Sequence, residues 1–128
     1  MCLTGYWKAE ATDEFIDWWN TLTESQQEAI DARVRLLQQR GPSLGRPTVE
    51  TIKSSRHHHM KELRCSAEGV LRVLFAFDPR SAAIILLGGD KSADADGPAW
   101  NRWYDEFVPV ADDLYDEHLK LLRDEGLI

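Results

Sequence analysis

The stretch LRVLFAFDPRSAAIILLGG (residues 71–89) decides the fold, because it has the pattern of two strands joined by a turn. In residues 71–78, Leu71, Val73, Phe75 and Phe77 alternate with other side chains at the period of a strand. Residues 82–89 are apolar throughout, which is typical of a strand covered on both faces. The intervening DPRS segment has the composition of a turn. The sequence therefore predicts an antiparallel pair of strands, and residues 59–65 are predicted to add a third strand in front of it.

Upstream of this meander, residues 6–12 alternate apolar and polar side chains, which predicts a short first strand. Asp13 is expected to cap a first helix that places Phe15 and Trp18 on one face. Thr23-Glu-Ser-Gln26 matches a capping box, which predicts the start of a second helix that ends at Gly41-Pro42. Residues 45–55 are rich in Gly, Pro, Thr and Ser and are expected to form a loop without regular structure.

Downstream, Trp100, Trp103 and Phe107 indicate a short helix that is interrupted near Pro109, where a last helix begins and runs toward Gly126. We also expect a turn at residues 88–92 and a polar loop at residues 94–98. The predicted order is β-α-α-β-β-β-α, a single α+β domain over residues 1–128. Its N-terminal helical hairpin is expected to pack on a small, mostly antiparallel sheet that also carries the C-terminal helix.

Composition limits the class of protein. A chain of 128 residues with 43% apolar content is large enough for one core without disulfide or metal support. No run approaches the roughly 18 consecutive apolar residues of a membrane span, and no basic segment followed by an apolar one marks a secretion signal. Cys2 and Cys65 make a poor disulfide framework, so we expect a cytoplasmic protein.

Charge is unevenly distributed along this chain, whose formal net charge is -7. Residues 46–91 carry eight Lys or Arg against five acidic residues, whereas residues 92–128 carry three against ten. An acidic protein steers nucleic acid weakly, but a cationic middle segment can still bind phosphate locally. Candidate phosphate-binding residues are Lys53, Arg56, His57, His58, Lys61 and Arg64.

The histidine run His57-His58-His59 also raises the possibility of a metal site. Consecutive residues of a strand point to opposite faces, so three in a row cannot all bind one ion in ordinary geometry. We therefore predict no metal and no other cofactor. Two other candidate residues also have a purely structural interpretation: Arg72 can pair with Glu62 or Glu68, and His118 can pack against the core.

Several blocks of this sequence together resemble the HigB-like branch of the RelE/ParE toxin superfamily, in order and in spacing. The blocks are Gly45-Arg46-Pro47, Lys53 to His58, Met60 to Arg64, Leu74 to Asp78, Gly89 to Ser92 and Tyr115 to Leu119. The resemblance covers residues 6–122. It implies a type II toxin that cleaves messenger RNA, often in the ribosomal A site, and that is silenced by an antitoxin with a helix-turn-helix domain.

The resemblance also implies ribonuclease chemistry without metal, in which a 2′-hydroxyl attacks its own phosphate. Such a reaction needs a base, cations around the phosphorane oxygens and an acid for the leaving oxygen. On this basis the predicted catalytic residues are Arg72, Lys91, Tyr115 and His118. His118 and Tyr115 are i and i+3 on the last helix and can face one cleft.

Two other functions remain open at this point. A toxin-fold module without appreciable cleavage would act only in a complex with its antitoxin and operator DNA, and the acidic balance favours it. A ParE-like action on gyrase is less favoured, because it leaves Tyr115 and His118 without a task. For the antitoxin we expect an apolar contact with the N-terminal helices, anchored by Trp18 or Trp19, rather than a contact with the cationic middle segment.

Overall fold

A five-stranded sheet forms the centre of the protein in the computed structural model, which describes residues 6–94 and 102–128. The elements are β1 (Ala9–Ala11), α1 (Asp13–Trp19), α2 (Glu24–Arg40), β2 (Val49–Thr51), β3 (Lys61–Cys65), β4 (Leu71–Phe77), β5 (Ala83–Asp90) and α3 (Arg102–Asp124). The strand order is β1-β5-β4-β3-β2, in which β1 runs parallel to β5 and every other neighbouring pair is antiparallel. The predicted α+β class and the mostly antiparallel sheet are confirmed.

Helices cover both faces of this sheet. Leu71, Val73 and Phe75 of β4 point toward the face that α1 and α2 cover, together with Phe15 and Ile30. The alternate residues point to the other face, where Leu74 and Ala76 pack with Trp103, Val108 and Tyr115 of α3. Because both faces are covered, β4 and β5 are almost fully buried.

The helix starts follow local hydrogen bonding. The capping box predicted at Thr23 and Gln26 is present, with both reciprocal hydrogen bonds formed. The cap of α1 is Thr12 rather than the predicted Asp13: the Thr12 hydroxyl accepts a hydrogen bond from the Phe15 backbone amide at 3.0 Å. Asp13 instead occupies the first turn, where its charge suits the positive end of the helix dipole.

Three sequence predictions of local structure are wrong. Residues 45–55 are not entirely irregular, because β2 pairs there with β3 at the edge of the sheet. The strand predicted from residue 59 begins at Lys61, so the histidine run lies in a loop. The helix is not interrupted at Pro109, which lies inside the continuous α3. The predicted positions of Trp100 and the 94–98 loop fall wholly or partly outside the described residues.

The predicted turn at residues 88–92 is also wrong in part, because Gly88 and Gly89 belong to β5. A Cβ atom on Gly88 would lie 2.2 Å from the Trp18 ring, and one on Gly89 would lie 2.5 Å from the Trp103 indole nitrogen. The two glycines therefore let one tryptophan approach the strand from each face. Among the described residues, no helix has the length and apolar character needed to cross a membrane.

Candidate functional site

Cations converge on one buried carboxylate at one end of the sheet. Strands β3 and β4 place Arg64 directly opposite Arg72, and Glu62 lies two residues before Arg64 on the same face. Lys91 follows the end of β5, and Tyr104 lies in the first turns of α3. We call Glu62, Arg64, Arg72, Lys91 and Tyr104 the Glu62 cluster.

The carboxylate of Glu62 is only partly satisfied. Its Oε1 atom accepts a hydrogen bond from Arg64 Nε at 2.9 Å, whereas Arg72 Nε is 3.8 Å away. Within the described part of the chain, Glu62 Oε2 and Arg72 Nε are buried and have no hydrogen-bond partner. Arg72 Nη1 donates a hydrogen bond to the Leu71 carbonyl at 2.9 Å. Buried polar atoms are rarely left in this state, and an absent ligand is one established explanation.

Lys91 and Tyr104 form the second half of the cluster. The Lys91 ammonium donates to the Tyr104 hydroxyl at 3.1 Å and lies 4.3 Å from the centre of its ring. Burial lowers the pKa of Lys91, and the nearby guanidinium of Arg72 lowers it further. Burial raises the pKa of Tyr104, and the neighbouring carboxylate of Glu62 adds to that rise. Lys91 is therefore a stronger acid than an exposed lysine.

A groove of about 480 Å³ opens beside the Glu62 cluster. Glu62, Arg64 and Tyr104 line it together with the exposed Lys53. An adjoining depression is lined by Lys53, Arg64 and Arg46. The groove is lined by two cations, Lys53 and Arg64, and by the carboxylates of Glu50, Glu62 and Asp105.

A second set of ionisable side chains lies at the other end of β4, around Asp78. The carboxylate of Asp78 accepts hydrogen bonds from His118 Nε2 at 2.9 Å, from Arg80 Nη2 at 2.8 Å and from the backbone amides of Arg80 and Ala82. Tyr115 donates its hydroxyl to the Phe77 carbonyl at 3.1 Å. Burial alone would raise the pKa of Asp78, but these hydrogen bonds outweigh it and leave the pKa below its ordinary value.

The set around Asp78 continues along α3 through further ion pairs. Arg56 binds Asp113 and Asp116, and His57 lies 2.7 Å from the second oxygen of Asp116. The His57 ring also meets the Tyr115 ring edge-on, with centroids 4.9 Å apart. We call Asp78, Arg80, Tyr115, His118, Arg56, His57 and Asp116 the Asp78 cluster. Arg56 and Arg80 bind carboxylates of the same chain. The contacts of this cluster hold α3 against the sheet and against the loop before β3.

The structure divides the four predicted catalytic residues between these two clusters. Arg72 and Lys91 belong to the Glu62 cluster, whereas Tyr115 and His118 belong to the Asp78 cluster. The five-residue path along β4 from Arg72 to Phe77 is roughly 16 Å, so the four side chains do not surround one phosphate. The catalytic role of Tyr115 and His118 stays a prediction.

The predicted phosphate-binding residues are divided as well. Lys53 and Arg64 line the groove beside the Glu62 cluster. Arg56 and His57 are engaged by α3, and His58 is exposed in the loop. Lys61 points to the opposite face of β3, where its ammonium lies 3.4 Å from the Pro42 carbonyl oxygen.

Sequence reasoning missed Glu62 and Tyr104 as members of a site. Glu62 could have been noticed because it lies between Lys61 and Arg64 on a predicted strand, and strand alternation puts it on the face of Arg72. For Tyr104, an aromatic residue in an apolar helical segment, the sequence gave no signal that separated it from a core residue.

Comparison with known proteins places this geometry in a family context. A family profile described as Phage derived protein Gp49-like (DUF891) matches residues 17–116. Two Mycobacterium tuberculosis relatives are named as toxins: HigB2 is 38% identical over 97% of this chain, and HigB3 is 43% identical over 74%. The alignments span 60% of HigB2 and 78% of HigB3. A free mutant form of the E. coli toxin RelE has a TM-score of 0.55 at 8% identity, covering 69% of this chain and 86% of RelE, which shows a shared fold.

Proposed function

Because the chain belongs to the Phage derived protein Gp49-like family and is a HigB-like member of the RelE superfamily, we propose that it is the toxin of a toxin–antitoxin pair and cleaves messenger RNA. Its substrate is single-stranded message presented by the ribosome, and it therefore acts in the cytoplasm. Its partner is a cognate antitoxin of the helix-turn-helix type, which holds the free toxin inactive. The relatives' names support the toxin role, and the Glu62 cluster supports the chemistry.

One observation carries the proposal: Lys53 and Arg64 line a groove, and the buried Arg72 and Lys91 lie next to its lining residues Glu62 and Tyr104. Fixed cations of this kind stabilise the charge that develops on the oxygens of a phosphorane. They are worth most where water is excluded, and both Arg72 and Lys91 are at least nine-tenths buried. Lys53 and Arg64, which are more exposed, are the cations that an entering phosphate meets first.

Lys91 supplies the acid in this scheme. When the bond between phosphorus and the 5′-oxygen breaks, the leaving oxygen needs a proton. Burial and the charge of Arg72 lower the pKa of Lys91, which brings its proton affinity closer to that required near neutral pH. Tyr104 fixes the ammonium through its hydroxyl at 3.1 Å. The nucleophile is the 2′-hydroxyl of the RNA itself, so the proposed reaction proceeds without a bound metal.

The test is cleavage of a defined message by the purified protein, measured with and without programmed ribosomes, after the toxin alone has been treated with a metal chelator and the chelator has been removed. We expect cuts only with ribosomes, no loss of activity from the chelator treatment, and fragments that end in a 2′,3′-cyclic phosphate and a 5′-hydroxyl. Arg35→Gln is the matched control, because Arg35 lies on α2 and pairs with Asp31 on the surface. Intact message with folded wild-type protein would contradict the proposal.

The alternative is a toxin-fold module that acts only by binding its antitoxin and operator DNA. The observation that favours it is the acidic balance of the chain, with a net charge of -7. The same cleavage assay separates the two functions, because a binding module leaves ribosome-bound message intact. Growth arrest on expression without the antitoxin, accompanied by truncated message, would exclude the binding module.

A further inference from the structure

We propose that Glu62 is the general base that takes the proton from the attacking 2′-hydroxyl of the RNA. This inference rests on the proposed endonuclease function and adds the residue that the reaction still lacks. Arg64, Arg72 and Lys91 supply positive charge and an acid, but an ordinary hydroxyl also needs a base when it attacks phosphorus. The structure places one carboxylate among these three cations, and that carboxylate is Glu62.

The two oxygens of Glu62 have different environments. Oε1 is anchored by Arg64 Nε at 2.9 Å, which fixes the plane of the carboxylate. Oε2 is buried and, among the residues that the structure describes, has no hydrogen-bond partner. A buried carboxylate oxygen that only holds a fold is normally satisfied, because leaving it without a hydrogen-bond partner costs its full desolvation penalty. An anchored oxygen beside a bare one is the arrangement of an oriented proton acceptor.

The other carboxylates near the groove are less suited to this role. Glu50 is the direct neighbour of Glu62 across β2 and β3, but Arg46 binds its carboxylate at the surface. Asp105 lines the groove from α3 and is exposed to water. Asp90 accepts hydrogen bonds from Ser92 and from the Val70 amide. Glu62 is thus the carboxylate that combines burial, a bare oxygen and contact with the cations.

Glu62 and Arg64 lie side by side along the groove. The Glu62 side chain is 2% exposed and lines the groove, and the Arg64 side chain, which is 40% exposed, lines the groove beside it and holds Oε1. The carboxylate thus lies at the wall of the proposed RNA site and is largely shielded from water.

Protons and electrons balance in the resulting step. The 2′-O–H bond breaks and its proton moves to Glu62 Oε2, while the freed electron pair forms the bond from the 2′-oxygen to phosphorus. The bond from phosphorus to the 5′-oxygen breaks, and Lys91 gives that oxygen a proton. The products are a 2′,3′-cyclic phosphate and a 5′-hydroxyl. Glu62 and Lys91 then return to their starting forms by exchanging one proton with solvent.

The test compares Glu62→Gln with Glu28→Gln, which removes an exposed carboxylate from α2, away from the groove. Single-turnover cleavage of ribosome-bound message is measured for both variants and for Glu62→Asp. We expect Glu62→Gln to lose about 100-fold or more in rate, Glu28→Gln to match wild type, and Glu62→Asp to keep part of the rate.

Binding of an oligonucleotide with a 2′-deoxy sugar at the cleavage site separates catalysis from folding. We expect Glu62→Gln to bind it as tightly as wild type or more tightly, because a negative charge has left a phosphate site. If Glu62→Gln fails to fold, Glu62→Asp decides, because it withdraws the carboxylate from the 2′-hydroxyl by one methylene: a wild-type rate in folded Glu62→Asp would overturn the inference. Unchanged cleavage by folded Glu62→Gln would overturn it alone, whereas absent wild-type cleavage would overturn the proposed function.

Discussion

The Glu62 cluster and the Asp78 cluster lie at opposite ends of β4 and contain similar residues, yet their hydrogen bonding differs. In the Asp78 cluster, Asp78 accepts from His118, from Arg80 and from two backbone amides. In the Glu62 cluster, three cations share one carboxylate, and an atom of Glu62 and one of Arg72 lack partners within the described chain. The carboxylate at the Asp78 end has its hydrogen-bond partners within the protein, whereas the Glu62 end has a buried acceptor and a buried donor that a ligand could pair with.

On the proposed function, this difference assigns the Asp78 end of β4 to structure and the Glu62 end to chemistry. A buried polar network stabilises and orients a fold when each member is satisfied. A buried network with unpaired hydrogen-bond donors or acceptors costs free energy in the free protein, and binding a ligand can recover that cost. Residue type alone does not separate the two cases, since both ends contain Arg, an acid and Tyr.

The largest effect should come from Arg72→Gln. Arg72 is buried beside Glu62 and Lys91, next to the groove that we propose for the RNA. Loss of one preorganised cation from such a site costs about 100- to 1,000-fold in rate. We expect that loss in cleavage of ribosome-bound message, together with restored growth when the variant is expressed without antitoxin.

Arg80→Gln is the matched control, because Arg80 is the arginine of the Asp78 cluster and also pairs with Glu10. It should lose stability but keep its cleavage rate at temperatures where it is folded. If Arg80→Gln lost cleavage as severely as Arg72→Gln, the division between the two ends of β4 would be wrong.

The next largest effect should be that of Lys91→Arg, expected to be about 100-fold near neutral pH because arginine does not release its proton. Wild-type cleavage should also fall in alkali as Lys91 deprotonates, at a pKa lowered from 10.5 by burial and by Arg72. The rate falls rather than rises with pH because only the protonated form of Lys91 can act as the acid, and that form is lost as pH rises. The residual cleavage of Lys91→Arg should lack this alkaline limb, and an unchanged limb would contradict the assignment.

Much of this architecture could be predicted from sequence, because strand alternation and capping are local. The capping box at Thr23 and the buried strand at residues 71–78 were visible for that reason. The pairing of β2 with β3 could not be seen, since a three-residue edge strand is stabilised by its neighbour. Pro109 remained within α3 because packing of neighbouring Val108 and Ala111 offsets the missing backbone donor.

The candidate site was less accessible to sequence reasoning, because it depends on register. Glu62 was predicted as a possible partner of Arg72, but the joint placement of Glu62, Lys91 and Tyr104 became apparent only when β3, β4 and α3 were placed together. Conversely, the spacing of Tyr115 and His118 did predict a shared face of α3, which their stacked rings confirm. Spacing within one helix could not indicate that this face meets Asp78 instead of Arg72.

A smaller effect is expected for Asp78→Asn, and it should be on stability. Asparagine carries no charge to pair with Arg80 and cannot accept all the hydrogen bonds that Asp78 accepts, so we expect a loss of about 2 kcal/mol. In wild type, the folded pKa of Asp78 is below its ordinary value of 3.8. Its contribution is therefore present above that value and lost as pH falls through the folded pKa. Denaturant unfolding should show a difference in unfolding free energy between wild type and Asp78→Asn at pH 7, and this difference should become smaller in acid.

The smallest effect on activity is expected for His118→Gln, and it tests the comparison most directly. If His118 only holds α3 against Asp78, glutamine can still donate one hydrogen bond, and cleavage should stay within about threefold of wild type. The unfolding free energy should fall by about 1 kcal/mol. If His118 instead moves a proton in the reaction, cleavage should fall about 100-fold or more while stability changes little. That second result would assign the chemistry to the Asp78 end of β4, and measuring both quantities on one preparation distinguishes the two outcomes.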